Sequence, residues 1–225
     1  MPSQRLQRIV AFPLPLLYIE GAHKTGLRRS VRYRLAMRKA FIAFQVIVLI
    51  ILMYLSWYLA TDYQTPHGRH DMPFLIWIID TVDLFIHEGG HGIFSIFGQF
   101  MHFLGGSLIQ VIIPVAAIVV FLRTSGLRSL IGTLYWLGHN LINISIYVGD
   151  APKQQLTLIS RHAMHDWRWL LGYMGILDSA EDIAAVVSFL GVIALLGGIG
   201  VGAYFIVHDV RDELHGVRPP ETMAP

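Results

Sequence analysis

The chain contains no cysteine. Disulfides and thiolate metal ligands are therefore excluded, and any metal must be held by His, Asp, Glu or Asn. Charge is also scarce. Asp, Glu, Lys and Arg make up 14% of the residues, against 54% hydrophobic ones, where soluble domains carry roughly a quarter charged residues. With a mean hydropathy of +0.55, the chain has more apolar surface than one soluble core can hide, and it reads as an integral membrane protein with the lipid bilayer as its partner. A net charge of +2 gives no basis for a nucleic-acid partner. No secretory signal peptide is legible at the start, where the short apolar stretch is broken by Pro13 and Pro15 and followed by basic residues. No internal repeat and no separate sensor domain is evident.

Apolar sequence, by contrast, is abundant and comes in runs of membrane-spanning length, about twenty residues. They cover 41–60, 74–100, 108–122 (with Pro114 as a kink), 130–149 and 183–207. Segment 153–178 is helical in pattern but mixed in polarity, with Trp167, Trp169 and Tyr173 suited to a membrane interface. The fold class expected is all-α, a polytopic membrane helix bundle of about five to six transmembrane helices. Residues 1–40 would be a basic cytoplasmic segment, 41–208 the membrane domain and 209–225 a tail. Arg28, Arg29, Arg32, Arg34, Arg38 and Lys39 place residues 1–40 inside. The second and fourth spans then run outside to inside, Asp150 lies near the inner face, and Arg123, Arg128 and the tail lie outside.

Within the second run stands "DLFIHEGGHGIF", an H-E-x-x-H string at 87–91. His87 and His91 are four apart and project from one helical face, the spacing that grips one ion, while Glu88 can reach a metal-bound water as general base. Zinc is the expected metal, because it lowers the pKa of bound water to roughly 7. Each ionisable residue in a span costs about 2.5–3.5 kcal/mol on insertion scales. Two histidines, Glu88, Asp80 and Asp83 in one span therefore demand a purpose. Asp83 and Asp80, four and seven residues before His87, lie on its helical stripe, and either could accept the second N–H of a ligand histidine, Asp83 being the favoured one.

A catalytic zinc needs a third protein ligand and an open position. Phe94 and Phe97 exclude the longer motif with a third histidine downstream. The candidates are His102, His139, Asp150, His162, His165 and Asp166. His139, Asn143 and Asp150 lie along one face of a span, flanked by Asn140 and Tyr147. His165 and Asp166, in "HDW", are the other contenders.

These residues resemble the site-2 protease family of intramembrane zinc metalloproteases, in particular its small bacterial relatives. The resemblance covers roughly 74–152: the H-E-x-x-H span, the glycine-rich "FGQFMHFLGGS", and "NLINISIYVGDA", where Asn143 and Asp150 match in layout. Two positions depart from the family pattern: no Pro separates Asn143 from Asp150, and Ala151 follows Asp150. The resemblance implies a three-helix catalytic core, a multi-pass protein of a bacterial cytoplasmic membrane, and zinc-dependent hydrolysis of peptide bonds in or near transmembrane segments of membrane-protein substrates. It implies His87, His91 and Asp150 as zinc ligands, Glu88 as base and Asn143 as the group that hydrogen-bonds the substrate or oxyanion. Gly89, Gly90, Gly105 and Gly106 would leave room for an extended peptide. A non-proteolytic zinc protein, either a transporter or sensor or a scaffold with four filled ligands such as His87, His91, Asp150 and His165, is the alternative.

Overall fold

A computed structural model of the chain describes residues 25–63, 72–156 and 164–215. Every regular element among them is helical: α1 Thr25–Thr61, α2 Phe74–Phe94, α3 Gln99–Thr124, α4 Leu130–Asp150, α5 Asp166–Met174 and α6 Ala180–His215. The chain divides into two compact units, 1–41 and 42–225. The described part of the first is the opening stretch of α1, which is already helical through the basic residues that precede the apolar run. The second unit holds the remainder of α1 and all the other helices.

Three segments are long and apolar enough to cross a membrane: Tyr33–Thr61, Gln99–Thr124 and Leu177–Leu214. Helices α2 and α4 have 21 residues each, a length of about 30 Å that matches a bilayer core. They are interrupted by the polar residues that make up the sites below. Helix α5, with nine residues, reaches only about 13 Å and is too short to cross. The amphipathic helix expected over 153–178 is thus confined to 166–174, with 157–163 outside the described residues.

The apolar run 74–100 is not one helix. After Phe94 a tight turn at Ser95–Phe97 leads to Gly98, whose φ of 95° is open to glycine without strain. Helix α3 then starts at Gln99 and turns back along α2. Of the glycines expected to leave room for a peptide, Gly105 and Gly106 lie within α3, and with Gly90 they serve the α2–α3 contact. A Cβ on Gly90 would overlap the Gly105 carbonyl oxygen, one on Gly105 would fall 2.7 Å from the Gly90 oxygen, and one on Gly106 2.6 Å from the His87 ring. Gly89 alone of the four faces open space. Small residues likewise let α4 and α6 approach: a Cβ on Gly138 would stand 2.7 Å from the Gly191 oxygen.

Contacts along each helix fix its sense. Helix α3 is antiparallel to α2, since His91 meets His102 while His87 meets Gln110. Helix α4 returns antiparallel to α3 through the short turn at 125–129. Helix α6 is antiparallel to α4, because Gly191 meets Gly138 and Gly198 meets Ile131. Helix α1 is antiparallel to α6, with Leu49 against Gly202 and Gln45 Nε2 donating to Asp209 Oδ2 at 3.0 Å. Arg128 Nη2 donates to the other Asp209 oxygen at 2.7 Å.

Gln45, the α3–α4 turn and the end of α6 therefore share one face. The simple up-and-down order expected from the sequence is corrected here: α1 and α2 run in the same sense. Arg128 lies on the same face as the start of the apolar stretch of α1, not opposite it. The physical reason is the polar side of α2, which must meet α3 and α4 at once and so takes its direction from them rather than from α1.

Candidate metal centre

One turn of α2 separates His87 from His91 and brings their ring centroids to 4.7 Å, nearly perpendicular. Both side chains are largely enclosed, at 12% and 13% exposure. Gly106 makes the room for the His87 ring. Each Nδ1 is held by an acceptor on α3. His91 Nδ1 donates to the His102 carbonyl oxygen at 2.7 Å and His87 Nδ1 to Gln110 Oε1 at 2.8 Å. A carbonyl oxygen can only accept, so each Nδ1 carries a proton, and Nε2 is the atom left to bind a ligand or, without one, to donate to Asp166.

Both Nε2 atoms point to one carboxylate oxygen, Oδ2 of Asp166, at 3.1 and 3.3 Å. Donors that share a tetrahedral zinc, with bonds of 2.0–2.1 Å, stand about 3.3 Å apart. The donor set and its spacing therefore fit zinc. Glu88 completes a cluster with the two histidines whose ligand atoms lie within 4.8 Å of one another, and it is the exposed member.

The chain matches no protein-family model, no curated protein and no solved structure.

Asp166 reaches the pair because α5 lies along α3, with Trp167 at Ser107 and Tyr173 at Phe100, so that its first residue faces the histidines. His165 caps the helix, its Nδ1 accepting from the Arg168 backbone N–H at 3.2 Å. Trp167 Nε1 donates to Ser107 Oγ at 3.0 Å, and the Trp169 ring stacks on Phe103 at 4.4 Å. Tyr147 packs its ring on His165 at 4.2 Å and donates from its hydroxyl to Asp166 Oδ2 at 3.3 Å. Burial opposes ionisation of Asp166, but the hydrogen bonds from His87 and His91 outweigh it and hold the carboxyl down at about 2. Burial also pushes the His165 imidazole below its usual range, against the pull of Asp150.

Of the residues singled out from sequence, His87, Glu88, His91 and Asp166 come together. Asp150 does not contact the histidine pair. Its oxygens accept the backbone N–H groups of Gln155 at 2.8 Å and Leu156 at 3.0 Å, and Oδ2 stands 3.4 Å from His165 Nε2. Asp150 and His165 thus shape the turn that carries α5. Asn143 is also elsewhere, donating to the Tyr63 hydroxyl at 2.7 Å. Asp83 supports His139 and Trp136 rather than His87. His102 contributes its backbone carbonyl, and His162 lies outside the described residues. Two participants were not singled out for these roles, Gln110 and Tyr147. The one amide inside the apolar run "LIQVIIP" was the legible signal for Gln110.

Proposed function

We propose that this protein is a zinc-dependent peptide hydrolase of the membrane, acting on bonds in or next to transmembrane segments of other membrane proteins. The observation that carries the reading is the convergence of His87 Nε2, His91 Nε2 and Asp166 Oδ2 within 3.1 and 3.3 Å, with Glu88 exposed beside them. His87, His91 and Asp166 would hold the metal, with Asp166 in the place first given to Asp150. Zinc there would polarise a scissile carbonyl and lower the pKa of a water.

The chain's own residues do the rest. Glu88 accepts the proton of the attacking water and returns it to the leaving amide nitrogen. Gln110 and the His102 carbonyl keep the two imidazoles in the Nδ1–H tautomer. Tyr147, whose hydroxyl already reaches the site, donates to the developing oxyanion in place of Asn143. The exposed side of Glu88 and Gly89 gives an unwound peptide its approach. The four-ligand structural zinc finds less support, since two of its expected ligands, Asp150 and His165, face each other.

The test compares membranes holding the wild type with membranes holding Glu88→Gln, each checked for zinc, by mass spectrometry of new N-termini. Termini inside or beside transmembrane segments that need Glu88 support the reading. Identical termini in both, with zinc bound in both, end it.

A further inference from the structure

A second cluster lies on α2 before the histidine pair. His139 of α4 is fully enclosed between Asp80 and Asp83, themselves 2% and 1% exposed. Its Nδ1 donates to Asp83 Oδ2 at 3.2 Å, and Trp136 Nε1 donates to the other Asp83 oxygen at 2.8 Å. On the opposite edge of the ring, Nε2 stands 3.0 Å from Asp80 Oδ1 yet makes no hydrogen bond. Asp80 Oδ1 accepts from the Tyr63 hydroxyl at 2.9 Å, and Asp80 Oδ2 is buried without a partner. The Tyr135 hydroxyl, one turn before His139 on the same face of α4, and Asn140 Oδ1 next to it are buried without a partner too.

We propose that this cluster is a second metal site, for a divalent first-row transition cation held between His139 Nε2 and Asp80. Three observations lead there. First, the arrangement repeats the first site: Nδ1 is fixed by an acceptor, and Nε2 faces a carboxylate oxygen at the separation of two donors on one ion. Second, an oxygen 3.0 Å away but off the direction of the ring N–H suits an ion between the atoms and does not suit a hydrogen bond. Third, the charges need it. Two buried carboxylates carry −2, and a proton shared with the imidazole between them lowers this only to −1. Among the described residues no Lys or Arg pairs with either carboxylate, so a divalent cation brings the enclosed cluster to neutrality. Nitrogen and carboxylate donors without sulfur select zinc, cobalt, manganese, nickel or ferrous iron. Asp80 Oδ2 remains to bind the same ion. Asp80 precedes His87 by seven residues, so the two ions would lie about 10 Å apart along the axis of α2.

The inference does not depend on the hydrolase reading, and its test counts metal. The detergent-solubilised full chain is dialysed to equilibrium against Co2+ alone and its metal is measured by elemental analysis. The expected content is about two ions per chain, falling to about one in His87→Ala/His91→Ala and to about one in Asp80→Asn or His139→Gln. X-ray absorption of the cobalt left in His87→Ala/His91→Ala is expected to show only nitrogen and oxygen neighbours. One ion per chain in the wild type that neither Asp80→Asn nor His139→Gln removes overturns the proposal. So does a content of two that neither Asp80→Asn nor His139→Gln lowers, which would mean that the buried charge is balanced by protons. Where a variant does not fold, seen as loss of its size-exclusion peak, the wild-type count decides. A wild-type count of one that vanishes with His87 and His91 removes this site while leaving the first intact.

Discussion

Asp150 and Asp166 carry the same functional group and differ only in what surrounds them. The carboxylate of Asp150 is spent on two backbone N–H groups of the following turn, whereas Asp166 faces two imidazoles. If His87, His91 and Asp166 hold zinc as proposed, Asp166→Asn weakens zinc binding by at least about 100-fold, since it removes the anionic member of the set. Asp150→Asn should keep zinc and loosen the docking of α5, read as faster hydrogen exchange over 164–174. Asp166 also sets an acid limit. In the metal-free protein its carboxyl titrates at about 2 rather than the usual 3.8. Its stabilisation is full above the unfolded value and disappears as the pH falls through the folded one. Acid unfolding of metal-free wild type and Asp166→Asn should differ above about pH 4 and converge toward pH 2.

Helices α2 and α3 meet through glycines, and that contact places His87, a proposed ligand. Gly106 stands under the His87 ring, so Gly106→Ala puts a methyl group where the imidazole lies. Overpacking of this kind costs about 1–3 kcal/mol. The ring must shift from Gln110, and metal affinity is expected to fall on the order of tenfold while the helical circular dichroism is kept. Gly89→Ala, whose methyl group would face open space, is the control and should leave metal content unchanged. The glycines of "HEGGH" and "LGGS" look alike in sequence. Only the approach of one helix to the other separates those that pack from the one that is free.

Chain direction is the property of the whole molecule that differs most from a hydropathy reading. Because α1 and α2 run in the same sense, the end of α1 at Asp62 lies on the face of the turn after α4, and the turn after α3 lies on the other. The absence of native cysteine makes this direct to measure. In sealed vesicles, Asp62→Cys and Lys153→Cys should react with a membrane-impermeant thiol reagent from one side and Ser125→Cys from the other. Strict alternation of spans would instead pair Asp62→Cys with Ser125→Cys.

Long apolar runs, the helical class and the four-residue spacing of His87 and His91 follow from sequence by itself, because hydropathy and helical periodicity are properties of neighbouring residues. The motif also places Glu88 beside the histidines without any help from the rest of the chain. Which carboxylate meets that pair was decided by tertiary structure alone. Asp150 and Asp166 are equal in chemistry, and the choice between them depends on α5 being held by Trp167, Trp169 and Tyr147 against α3 and α4. The same holds for Asp80, Asp83 and His139. As a pattern they are scattered polar residues in two apolar runs. They become one enclosed cluster because α2 and α4 lie side by side in the same direction, each turning a polar stripe that water cannot reach toward the other.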